Sequence, residues 1–91
     1  MSQQVINDER RNRYELRADG GVAVAYYEPR GDAVTFTHTV VPEGLRGRGL
    51  GSILIAEALA DVRRRGLKAV AQCSFVAAYL QRHPEERDLL V

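Results

Sequence analysis

Residues 45–52 read Leu-Arg-Gly-Arg-Gly-Leu-Gly-Ser. An apolar stretch with helical periodicity follows directly. The first N–H groups of a helix have no intrahelical partner and lie at the positive end of its dipole. Gly47, Gly49 and Gly51 let a ligand approach that backbone without a Cβ in the way. Arg46 and Arg48 add fixed positive charge. The chemistry that fits is a pyrophosphate cradle made by Arg46, Gly47, Arg48, Gly49, Leu50, Gly51 and Ser52. Two familiar phosphate motifs do not fit. A G-x-G-x-x-G fingerprint from Gly47 needs glycine where Ser52 stands, and a P-loop from Gly44 needs lysine and Ser/Thr where Leu50 and Gly51 stand. The pattern present is Arg-x-x-Gly-x-Gly, from Arg46 through Gly49 to Gly51. Its bland reading is a glycine-rich helix entry with solvated arginines.

Two further side chains have types suited to chemistry. Cys73, the single cysteine, sits just before a second helical segment. A helix N-terminus favours thiolate, so an accessible thiol there reacts with alkylating reagents faster than a free one, unless apolar side chains wrap it. The competing reading is a buried cysteine acting as a small hydrophobe. His38, near the end of a strand, can take a proton close to neutral pH, or it can be a half-buried histidine beside Val34 and Phe36.

The elements that must position these residues follow from periodicity and turn chemistry. Residues 13–17 alternate Tyr14 and Leu16 with charge, the period of a half-buried strand. Asp19-Gly20-Gly21 is a hairpin signal. Residues 22–27 form the next strand and residues 28–32 the next turn. Residues 33–41 form a β-branched strand with Val34, Phe36, His38 and Val40 on one face, and Thr35, Thr37, Thr39 and Val41 on the other. Pro42 ends it. A helix runs from about residue 49 to 65, with an apolar stripe of Leu50, Ile53, Leu54, Ala58 and Val62. Gly66 is its C′ residue, and Arg63, Arg64 and Arg65 form a solvated terminus. Residues 67–72 are a fourth strand. Ser74 caps a short helix ending before Pro84, and residues 89–91 pair at a sheet edge or pack loosely. The order β-β-β-α-β-α describes an α+β domain. An antiparallel meander leads into a right-handed βαβ crossover whose two strands lie parallel, so His38 and Cys73 are expected as neighbours.

Composition bounds the function. Ninety-one residues with 45% hydrophobic and 27% charged content read as one globular domain over residues 1–91. The net charge of +1 gives no basic excess for nucleic acid. An RNA-binding sheet using Tyr26, Tyr27 and the loop arginines is disfavoured by the same near-neutral charge and by the absence of a stacking-aromatic motif. No Cys/His cluster has zinc spacing, so no metal is expected. The longest apolar run is far short of the roughly 20 residues a bilayer span needs. Residues 1–4 lead into charge rather than a signal-peptide core, so the expected location is cytoplasmic.

The Arg-x-x-Gly-x-Gly loop between a strand and a helix resembles the coenzyme A pyrophosphate loop of the GCN5-related N-acetyltransferase (GNAT) superfamily. Phe36-Thr37-His38-Thr39, Val41-Pro42, residues 45–49, residues 73–77 and His83-Pro84 resemble the minimal YjdJ-type members, over residues 14–90. The resemblance implies a splayed pair of parallel strands, with the cofactor's pantetheine arm bonded to backbone near Val40 and Val41. It implies acetyl transfer from acetyl-CoA to a primary amine of a protein lysine, a peptide N-terminus or a small amine. Backbone N–H groups at the splay would stabilise the oxyanion. By the same resemblance His38 or a water is the base, Cys73 lines the acetyl site or carries the acetyl group transiently, and Cys73, Tyr79 or solvent protonates the leaving thiolate. Tyr79 reads equally well as a packing residue. Many relatives carry an acidic residue after the His-Thr pair; Val40 stands there in this chain. The rival reading is a non-catalytic acyl-CoA-binding module, which needs the loop but neither His38 nor Cys73.

Overall fold

The computed structural model describes residues 5–91; Met1 to Gln4, where a signal-peptide core is not expected, lie outside the described residues. Five strands form one sheet in sequence order: β1 (Val5–Asp8), β2 (Arg13–Ala18), β3 (Gly21–Arg30), β4 (Ala33–Val40) and β5 (Lys68–Ala71). Helix α1 (Leu50–Arg64) joins β4 to β5, and α2 (Ser74–Arg82) follows β5. Strands β1 to β4 are antiparallel neighbours, and β4 and β5 are parallel. This is the expected meander and crossover with one strand added at the front. β1 has no clear alternation of its own and is defined by its partner, with Val5 opposite Leu16. Strand β3 runs on through Pro29 to Arg30, where a turn was expected. Beyond Tyr26 it has left β2 behind, so Pro29 stands on a free edge and needs no donor.

The expected face of β4 changes part-way along. Phe36 lies opposite Tyr27 and His38 opposite Tyr26, so Thr37 is the extra residue of a β-bulge. One inserted residue reverses the side-chain phase beyond it. Val34 and Phe36 therefore enter the core, whereas His38 and Val40 stand exposed on the other face. The inner face carries Tyr14, Leu16, Ala25, Tyr27, Val34 and Phe36, which join Leu54, Ile55, Ala58, Leu59 and Val62 of α1 and Val76 and Leu80 of α2 in one hydrophobic cluster. The stripe on α1 is rotated from the expected one. Ile53 is 39% exposed, and Ile55 and Leu59 are fully buried.

Helix α1 stops as expected. Gly66 takes a φ of 73°, its N–H bonds Arg63 O, and the N–H of Leu67 reaches back to Val62 O, the Schellman arrangement. The three arginines are ion-paired rather than only solvated. Arg63 holds Glu86 and Asp88, Arg64 holds Asp61, and Arg65 holds Glu9. Arg63 thereby ties the Pro84–Leu89 turn to α1. The tail then docks on β5: Leu89 is buried, Leu90 bridges Ala69, and the N–H of Val91 donates to Ala69 O. At the front of α2 the N-cap is Cys73, not Ser74, and no side chain caps that helix.

Candidate functional site

Strands β4 and β5 pair only from Ala33/Lys68 to Phe36/Ala71. The N–H groups of Gln72 and Cys73 both turn onto Phe36 O. Residues 38–40 of β4 continue, paired with β3 alone, so the expected splay is present. On the inner face a groove of about 450 Å³ runs from this opening to the start of α1. Thr39 and Val41 form its strand side. Leu45, Arg46, Gly47, Gly49, Leu50, Gly51 and Ser52 form its loop side, and Phe75 closes it from α2.

The loop end of the groove fits a phosphate group. Gly49 is the N-cap of α1 with φ 72° and ψ 12°, no side chain caps the helix, and no acidic residue lies in its first turn. The first-turn N–H groups therefore have no side-chain acceptor, the condition for holding an anion. A Cβ on Gly47 or Gly49 would meet nothing within 4 Å, so their backbone faces open space. Gly51 has a different role from the expected one. A Cβ there would fall 2.5 Å from Phe75 Cζ, so the missing side chain makes room for an aromatic ring. Arg46 Nε donates to Val41 O at 3.2 Å, bracing the loop against the end of β4. Arg48 is exposed and does not line the groove.

The other candidates divide between the two faces. Cys73 is 5% exposed, and its Sγ lies 3.4 Å from Thr39 Oγ1 at the mouth of the splay. Burial withdraws it from the rapid alkylation expected of an accessible thiol. Its side-chain partner is Thr39 rather than His38. The bulge turns His38 to the outer face, where its ring stacks on Tyr26 at 4.5 Å and 23°. Val40 also faces outward and is absent from the groove wall, so Thr39 and Val41 take the strand positions. Tyr79 is buried one turn from the end of α2, with its ring flat against His83 at 4.1 Å, and it does not line the groove. Burial, with Glu86 and Glu85 nearby, pushes its hydroxyl above the ordinary tyrosine range. Thr39, Leu45 and Phe75 were not among the expected site residues. Thr39 is found only once the bulge is counted; the unfilled space at Gly51 is the signal for Phe75.

A family model described as GCN5-related N-acetyltransferase matches residues 13–89. The chain belongs to that family. Among curated relatives, Protein NATD1 of Gallus gallus is 34% identical over 84 residues, covering 89% of this chain and 76% of the relative. Protein NATD1 of Homo sapiens is 35% identical over 83 residues, covering 88% and 74%. The NMR solution structure of a GCN5-like protein from Staphylococcus aureus superimposes with a TM-score of 0.74 at 24% identity, covering 97% of this chain and 87% of that one. That likeness carries the fold. The glycine loop, the splay and the helix beyond it are all present in this chain. Among the described residues no helix is long and apolar enough to cross a membrane, and no group of His, Cys, Asp and Glu is clustered as a metal site.

Proposed function

We propose that the protein is an acetyl-CoA-dependent N-acetyltransferase acting on a primary amine. The observation that carries this reading is the single groove joining the uncapped, glycine-lined start of α1 to the splayed end of β4. Acetyl-CoA, as substrate, supplies an acetyl group already activated as a thioester. The chain's own residues divide the remaining work. The backbone of residues 46–52, with Arg46, holds the pyrophosphate. The backbone near Val40 and Val41 holds the pantetheine arm, since strand groups freed by the splay need partners. Thr39 and Cys73 line the inner side of the opening, where a sulfur would leave. His38 lies on the outer side, where an amine can arrive, and takes a proton from the incoming ammonium. This reading gives Tyr79 no role, since its ring stacks on His83 and does not line the groove. Donor and acceptor thus approach the gap from opposite faces of the sheet.

Turnover of acetyl-CoA with a lysine peptide, a free peptide N-terminus and a polyamine, followed by release of free thiol, tests the reading. Thiol release that depends on one of these amines supports it. Val40, a side chain without a proton to exchange in a strand position facing the acceptor side, favours the rival reading of an acyl-CoA-binding module. Binding without amine-dependent turnover would select that module.

A further inference from the structure

The hydrogen bonds around the bulge determine which nitrogen of His38 is free. Thr37 Oγ1 lies 3.3 Å from Tyr26 O and 3.3 Å from His38 Nδ1. A hydroxyl has one proton and a carbonyl oxygen can only accept. The Thr37 proton is therefore committed to Tyr26 O, and Thr37 Oγ1 must accept from His38. Nδ1 then carries a hydrogen, and in the neutral ring the lone pair is on Nε2. Nε2 has no hydrogen-bond partner among the described residues, and the ring is exposed on the outer face. The Tyr26 ring holds the imidazole plane from beneath. Tyr26 is fixed in turn by Arg13, whose guanidinium lies 5.8 Å from the ring centroid, donates to Tyr26 Oη, and is anchored through Nε on buried Glu15 at 2.7 Å.

We infer that Thr37 is a positioning residue that fixes His38 in its Nδ1–H form, so that Nε2 is the proton acceptor presented to an amine on the outer face. The inference rests on the acetyl-transfer reading for its use, though not for its geometry. The step balances simply. Nε2 takes one proton from the acceptor ammonium, leaving a neutral amine and an imidazolium, and the Nδ1–H bond to Thr37 is unchanged throughout. No group needs to reorient as the charge appears, which is the condition for preorganised catalysis.

Ring-nitrogen NMR of the full chain, at a pH well above the ordinary histidine range, reads the tautomer directly. The native protein should show His38 protonated at Nδ1. Thr37→Ser keeps the hydroxyl and should show the same. Thr37→Val keeps the shape but loses the acceptor, and the ring should move towards the Nε2–H form that free imidazole side chains prefer. In turnover, kcat of Thr37→Val should fall by the same factor as the Nδ1–H population, because only that form is competent, while KM for acetyl-CoA stays unchanged. A native ring protonated at Nε2, or a Thr37→Val ring unchanged from native, would overturn the assignment. A shifted tautomer with unchanged kcat would overturn the positioning role. An Nδ1–H ring in a native protein that turns over no amine would sink the acetyl-transfer reading and leave the hydrogen-bond assignment standing.

Discussion

Phe75 of α2 lies over Gly51 of α1 so closely that a Cβ on the glycine would stand 2.5 Å from the tip of the ring. The two helices meet at their N-terminal ends through this contact, and the same ring closes one side of the groove. Gly51→Ala should therefore push Phe75 into the groove. The expected loss of stability is about 1–3 kcal/mol, the usual result of overpacking, accompanied by weaker coenzyme A binding. Phe75→Leu should recover much of that stability in the double variant, giving a clear coupling in a double-mutant cycle by chemical denaturation. Gly49→Ala should behave differently. No neighbour crowds that position, but its φ of 72° costs a side chain roughly 1–3 kcal/mol, and Phe75→Leu should not relieve it.

Arg46 combines a brace with a charge. Its Nε is engaged with Val41 O, which leaves the terminal nitrogens for a phosphate. Arg46→Ala should weaken coenzyme A by about 1.5–3 kcal/mol, the range for a hydrogen bond to a charged group, and should weaken a pantetheine fragment without pyrophosphate much less. Calorimetry with both ligands separates the roles. Equal losses would leave Arg46 a brace alone.

Cys73 lies at the splay with its thiol against Thr39 and almost no exposure. Alkylation in the folded protein should be slower than for a free thiol, and slower still with coenzyme A bound. Direct transfer predicts that Cys73→Ser keeps substantial activity and that acetyl-CoA alone leaves no hydroxylamine-sensitive acetyl group on the protein by mass spectrometry. A kinetically competent acetyl adduct at Cys73 would replace direct transfer with a two-step route.

The C-terminal turn should loosen in acid. Hydrogen bonding to the Arg63 guanidinium holds the Asp88 carboxyl below the usual carboxylate range. A carboxyl depressed in the folded state contributes stability above its ordinary range and loses it as pH falls through the folded value. Asp88→Asn lacks that contribution throughout. The difference in Tm between native and variant should be widest near neutral pH and close as pH drops below about 4, the ordinary aspartate value. A difference that stayed constant across this window would contradict the pairing.

The loop, the crossover and the ends of α1 were legible because their signals are local. Glycines at Gly47 and Gly49 sit where backbone must take positive φ, and Gly66 sits where a helix must stop. The placement of His38 was not legible. Alternation along residues 33–41 puts it beside Phe36, and only the pairing of β4 with β3 reveals the inserted Thr37. Thr39 was missed for the same reason, since it gains the inner face from the bulge. β1 escaped because its strand lies on an edge, with Val5 only half-buried and Ile6 exposed, and takes its register from Leu16 and Glu15. Phe75 escaped because the space it needs is created by a residue on another helix. Local chemistry is written in neighbouring letters, whereas faces and contacts depend on partners distant in sequence.

The most direct measurement is a titration of the isotopically labelled protein with coenzyme A, followed by backbone amide NMR. Saturable shifts are expected to concentrate in residues 46–52, with a second group at Thr39, Val41 and Phe75, and small changes at Arg13 and Arg17 on the outer face. Absence of binding, or shifts centred on the outer face with residues 46–52 unmoved, would contradict the proposed coenzyme A site.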